Sequence, residues 1–73
     1  MILQYLSKVP TENKGEVTVE TIRDNVEEVT VVGDEIKVLT KEPKNITVFS
    51  KKDKQIYNMW LLNDNFKTLK RLI

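Results

Sequence analysis

Glu16-Val17-Thr18-Val19-Glu20-Thr21-Ile22-Arg23-Asp24-Asn25-Val26-Glu27-Glu28-Val29 is the stretch on which the fold class turns. Val19, Ile22, Val26 and Val29 recur at intervals of three and four, the apolar stripe of an amphipathic helix. Thr18 has the chemistry of an N-cap, and Glu20 falls in the first turn, where the helix dipole favours negative charge. The β-branched run from Val17 to Ile22 argues for a strand instead. The periodicity predicts a helix over about Val19 to Val26, with strand over 16–22 as the open alternative.

Downstream the period shortens to two. Glu28 to Val32 and Glu35 to Thr40 flank Gly33-Asp34, a two-residue loop with glycine first that suits a type II′ hairpin. Val29 with Val31, and Ile36 with Val38, then share one side of a half-buried sheet. Lys41 to Asn45 turns the chain, and Ile46 to Phe49 completes a three-stranded antiparallel meander. Ser50-Lys51-Lys52-Asp53 has the form of a capping box, with Asp53 in place of the usual Glu or Gln, and predicts a helix from Lys51 to about Leu62. On a helical wheel Ile56, Tyr57, Met59, Trp60 and Leu61 cover roughly 200°, wider than one sheet face requires. The excess predicts a dimer contact through Ile56, Tyr57, Trp60 and Leu61. Past Asn63-Asp64-Asn65, the spacing of Phe66, Leu69, Leu72 and Ile73 predicts a short final helix.

Upstream, Met1 to Val9 reads as a strand or a short helix. As a strand it sets Ile2, Gln4 and Leu6 on one side and Leu3, Tyr5 and Val9 on the other. Pro10 to Gly15 is a polar loop. The expected fold is therefore a single α+β domain over residues 1–73: an N-terminal segment, a helix, a three-stranded antiparallel meander and C-terminal helices, assembled as a homodimer.

The formal net charge of +1 hides a polarised chain. Residues 1–36 hold eight acids against three bases, and residues 37–73 hold nine bases against three acids, giving −5 and +6. Such asymmetry points to a charged partner or to head-to-tail pairing of the two halves in a structural or assembly role. With neither Cys nor His, the chain lacks disulfides and the usual zinc ligands, so the sequence predicts no metal and no cofactor. The start Met1-Ile2-Leu3-Gln4-Tyr5-Leu6 is too short and unflanked to read as a signal peptide, and no apolar run approaches a membrane span. The expected location is the cytoplasm.

Catalysis finds no constellation here. His, the commonest general base, and Cys, the strongest nucleophile, are both absent. Ser7 and Ser50 have no base motif nearby, and Gly15 and Gly33 are too far apart for a phosphate loop. The sequence predicts a non-enzymatic chain. Two binding readings remain. Glu16, Glu20, Asp24, Glu27 and Glu28 offer an acidic surface suited to the basic groove of a DNA-handling protein. Lys51, Lys52, Lys54, Lys67, Lys70 and Arg71, accompanied by Phe49, Tyr57, Trp60 and Phe66, offer the alternative, a nucleic-acid-binding module. A solvated face accounts for either charge run, and a core position accounts for Trp60.

In size, composition (ten Lys to two Arg, with six Asn) and layout, the chain resembles the small early proteins by which phages of low-GC bacteria redirect host replication or transcription. The resemblance implies a protein-binding inhibitor of a host DNA-processing protein, acting in the host cytoplasm. Inhibitors of the sliding clamp are one such type. Gln55-Ile56-Tyr57-Asn58-Met59-Trp60 resembles a clamp-binding peptide in its leading Gln and closing aromatic, with Asn58 where an aliphatic residue is expected.

Overall fold

Extended backbone, not helix, runs through the whole chain. The computed structural model describes residues 1–73 and contains seven β-strands and no helix: β1 (Ile2–Thr11), β2 (Gly15–Arg23), β3 (Val26–Val32), β4 (Glu35–Thr40), β5 (Asn45–Ser50), β6 (Ile56–Leu62) and β7 (Thr68–Arg71). They form a four-stranded sheet of order β2-β1-β6-β7 and a three-stranded sheet of order β3-β4-β5, both antiparallel. The expected α+β class is thus corrected to all-β, and every expected helix is strand or turn. No helix long and apolar enough to cross a membrane is present.

Each correction has a local cause. Over 16–22 the β-branched run prevails: Val17, Val19, Thr21 and Arg23 lie on one side of β2 and Glu16, Thr18, Glu20 and Ile22 on the other. Val19, Ile22 and Val26 share no face, because Ile22 points opposite Val19 and Val26 belongs to the other sheet. The capping-box residues satisfy a turn instead of a helix start. Ser50 Oγ accepts from the Lys52 amide (3.2 Å), and Asp53 Oδ1 accepts from the Gln55 amide (2.9 Å). Residues 56–62 form a strand with β1 on one side and the C-terminal segment on the other. Phe66 sits in the β6–β7 turn at φ 62°, and its side chain is exposed.

The meander is present as β3-β4-β5. Val32 pairs with Glu35 across Gly33-Asp34, and Gly33 has φ +59°, the sign a type II′ turn requires at that position. Ile36, Val38 and Thr40 face inward from β4. Ile36 and Val38 meet Leu3 and Met59 of the other sheet in one cluster with Val26, Phe49 and Leu72, and Tyr5 stands edge-on to Phe49 at 5.3 Å. Only ten residues are buried, so the margin of stability is thin.

Two corners join the sheets. The Met1 amino group donates to the Val26 carbonyl (3.0 Å), and the Val26 amide donates back to Met1. On the other side, Arg23 Nη1 of β2 donates to Thr47 Oγ1 of β5 (3.3 Å). Beyond Ser7 the β1–β2 hairpin outruns β6. Lys8 still donates its amide to the Gln55 carbonyl, but Val9 to Thr11 pair with β2 alone, as a projecting two-stranded arm.

Candidate protein-binding face

The molecule has no pocket, and no cluster of three acidic side chains converges on a point. Its distinctive chemistry lies instead on the outward face of the four-stranded sheet, opposite the core. Register places residues there in rows. Ile22, Gln4, Trp60 and Arg71 stand side by side across all four strands. Glu20, Leu6 and Asn58 form the next row, and Thr18 and Lys8 the one after. A bulge between Leu6 and Ser7 leaves Tyr57 unpaired and turns its ring to this side.

Two contacts tie that ring across the sheet. Lys8 Nζ lies 5.5 Å from its centroid, within cation–π range, and the Tyr57 hydroxyl donates to Thr18 Oγ1 at 3.5 Å. One end of the face is closed, where Ile2 and Leu62 pair and are each 4% exposed. The other end is open: Trp60 and Leu6 are half-buried, while Ile22 and Tyr57 are 48% and 37% exposed. Lys8 and Arg71 balance Glu16 and Glu20, so the face is rich in amphipathic groups and close to neutral.

The expected site residues are redistributed. Ile56 and Leu61 pack against the core, while Tyr57 and Trp60 point the opposite way, so the four do not form one contact surface. Glu16 and Glu20 lie on the outward face of β2, but Glu28 lies on the outward face of the three-stranded sheet, on the far side of the molecule. Asp24 is in the β2–β3 connection and Glu27 is the unpaired residue of a β3 bulge. The five acids therefore do not share one surface. Lys51, Lys52 and Lys54 precede β6 and Lys67 follows it, which separates them by roughly 20 Å of strand. Lys52 is also paired with Asp34 at 3.5 Å. Lys70 and Arg71 lie on β7, and of the six only Arg71 joins the row through Trp60.

The segment Gln55 to Trp60 is not a free peptide, because β6 is flanked on both sides by backbone partners. Sequence reasoning does not single out Gln4, Leu6, Lys8, Ile22 or Asn58. The signal for three of them is the two-residue alternation of Ile2, Gln4, Leu6 and Lys8; nothing local marks Ile22 or Asn58. No protein-family model, curated protein or solved structure matches the chain.

Proposed function

We propose that this chain is a non-catalytic protein-binding domain whose contact surface is the outward face of the four-stranded sheet. The observation that carries the reading is the grouping on one face of half-buried Trp60, its exposed cross-strand neighbour Arg71 on β7, and exposed Tyr57 three residues back along β6. Trp, Tyr and Arg are the residues that dominate binding energy at protein interfaces, because they combine large contact area with a hydrogen-bonding end. Gln4 and Asn58 add neutral donors and acceptors beside them. The balanced charge favours a protein over a polyanion, since phosphate recognition draws most of its affinity from net positive charge.

In the finer form of this proposal the partner is a bacterial DNA-processing protein, such as the sliding clamp, which the chain inhibits. Size and composition support it, and it uses Glu16 and Glu20 at the rim of the face rather than five acids together. Titration of immobilised chain with a purified sliding clamp from a low-GC bacterium tests it. Saturable binding lost in Trp60→Ala and kept in Val48→Ser supports both levels. Equal binding by the two variants overturns the face. Absence of clamp binding removes the clamp, and capture from lysate, compared between the same variants, then decides the coarser reading.

A second reading draws on one specific observation. Lys8 over Tyr57 and Arg71 beside Trp60 pair cations with aromatic surface, the arrangement that binds single-stranded nucleic acid on a sheet. Retention of an oligothymidylate at low salt, lost on raising salt, distinguishes it.

A further inference from the structure

β2 is the longest free strand edge of the molecule. Its nine residues pair regularly with β1 on one side, and no backbone group of the chain bonds its other side. Natural sheets guard such edges with proline, lysine or a bulge. The other edges are bulged or short: β3 and β7 each carry a register shift, and β5 has six residues. β2 has no Pro, no Lys and no bulge against β1; its charges are Glu16 and Glu20 on the outward side and Arg23, turned inward at its end and bonded to Thr47. Val17 and Val19 on its core-facing side, together with Val9 of the arm, lie beyond the cover of the second sheet and remain about two-fifths exposed.

We infer that β2 pairs with β2 of a second copy, antiparallel about Val19, to make a continuous eight-stranded sheet. The occupant follows from the charge pattern of the strand itself. A two-fold axis relating antiparallel edge strands stands perpendicular to the sheet, so the register must centre on a residue. Centring on Thr18 sets Glu16 against the partner's Glu20 twice over, and centring on Glu20 sets that carboxylate against its own copy. Centring on Val17 or Thr21 pairs little more than half the strand. Only the register about Val19 pairs all nine residues, and it sets no two like charges directly opposite, the partner's Glu16 and Glu20 standing at the longer diagonal distance from Glu20. Glu16 then faces the partner's Ile22, Thr18 the partner's Glu20, Val17 the partner's Thr21, and Val19 its own copy. Cross-strand apolar and uncharged pairs of this kind favour pairing, whereas opposed carboxylates disfavour it.

The perpendicular axis leaves both outward faces on the same side. Trp60 and Tyr57 of the two copies then form one bivalent surface, and a partner with two sites gains avidity without any new contact. The pairing itself stands independently of what binds that face.

Sedimentation velocity of the full chain over rising concentration, with circular dichroism as the check on folding, tests the inference. The wild type is expected to dimerise reversibly. Thr18→Glu places a carboxylate opposite the partner's Glu20 in two symmetric positions and weakens the dimer roughly tenfold, whereas Thr18→Lys tightens it. Both substitutions are at an exposed position. The chain has no cysteine, so Val19→Cys reports register directly: it cross-links to a covalent dimer on oxidation, and Val17→Cys does not. A wild type monomeric at every concentration overturns the proposal. So does a dimer indifferent to charge at residue 18, or one that Val17→Cys cross-links as readily as Val19→Cys.

Discussion

Across the four-stranded sheet, the outward row through Trp60 holds Ile22, Gln4, Trp60 and Arg71; across the three-stranded sheet, the outward rows hold Glu28, Leu39, Ile46 and Thr30, Lys37, Val48. The two faces share one core and differ in what they add to it. Outward from the meander, Ile46 and Val48 are β-branched groups that suit a pleated surface and offer no hydrogen bond. Lys37, between Thr30 and Val48, keeps that face wet. Outward from the larger sheet, Trp60, Tyr57, Gln4, Asn58 and Arg71 carry polar ends beside apolar area. Strand formation accounts for the first set. The second sets indole, phenol, amide and guanidinium groups beside apolar area, and the proposed binding role rests on that combination.

The largest test asks whether β6 divides as described. Met59, fully buried and facing inward, should lose about 2–5 kcal/mol on truncation to Ala through lost burial and the cavity left behind. A domain of this size has roughly 4–11 kcal/mol to lose. Urea denaturation of Met59→Ala should therefore show a midpoint lowered by a large fraction of the wild-type value, or no folded baseline if the wild type lies at the lower end of that range. Trp60→Ala, one residue along and on the opposite face, should fold and instead lose at least about 2 kcal/mol of partner affinity, some thirtyfold. Val48→Ser on the other sheet should change that affinity by no more than about 0.5 kcal/mol, being a surface substitution away from the contact. If Val48→Ser and Trp60→Ala weaken binding alike, the contrast between the faces fails.

β6 also explains why part of the fold was legible and part was not. In β4 the inward Ile36 and Val38 alternate with outward Glu35 and Lys37, so polarity itself displays the period of two over those residues. Together with Gly33-Asp34, that alternation made the meander readable. In β6 both faces are largely apolar, with Met59 and Leu61 inward and Trp60 and Leu62 outward. A strand with two apolar faces has no alternation to read, and the unpaired Tyr57 shifts its phase. On a helical wheel the same residues make an over-wide stripe. The excess apolar surface was real, but its cause is a central strand with one face in the core and the other turned outward. For the candidate site, Tyr57 and Trp60 were visible as unusual residues. Alternation puts Gln4, Leu6 and Lys8 on one side of β1, but only register with β6 and β2, a long-range pairing, sets them and Ile22 beside Tyr57 and Trp60.

A smaller test compares the turns. Gly33 sits at φ +59° with nothing within 4 Å of where a Cβ would stand, so Gly33→Ala isolates the backbone cost of a left-handed residue, about 1–2 kcal/mol. The loss should appear in the urea midpoint, and partner affinity should be unchanged because this hairpin belongs to the meander. Loss of affinity in a variant still folded at the assay temperature would tie the two sheets together functionally and blur the contrast drawn between them.

The smallest effect on stability gives the sharpest division between the two binding readings. Lys8 is exposed, and its contact with the Tyr57 ring is worth roughly 0.5–1 kcal/mol at such a site, so Lys8→Ala should lower stability by about that much. Its effect on binding depends on the partner's chemistry. A protein seated on a near-neutral face meets Lys8 at the rim, where removing a charge alters association rate and salt sensitivity slightly and leaves affinity nearly intact. A nucleic acid meets it as a phosphate contact, so its loss should reduce the logarithmic salt slope by about one and weaken binding uniformly across sequences. Affinities of wild type and Lys8→Ala at several salt concentrations, for a protein captured through the Trp60 face and for an oligothymidylate, therefore place the face in one class or the other. A slope unchanged for the oligonucleotide removes Lys8 from any phosphate-binding role. A slope reduced by one there, with Trp60→Ala abolishing retention, turns the same face into a nucleic-acid platform.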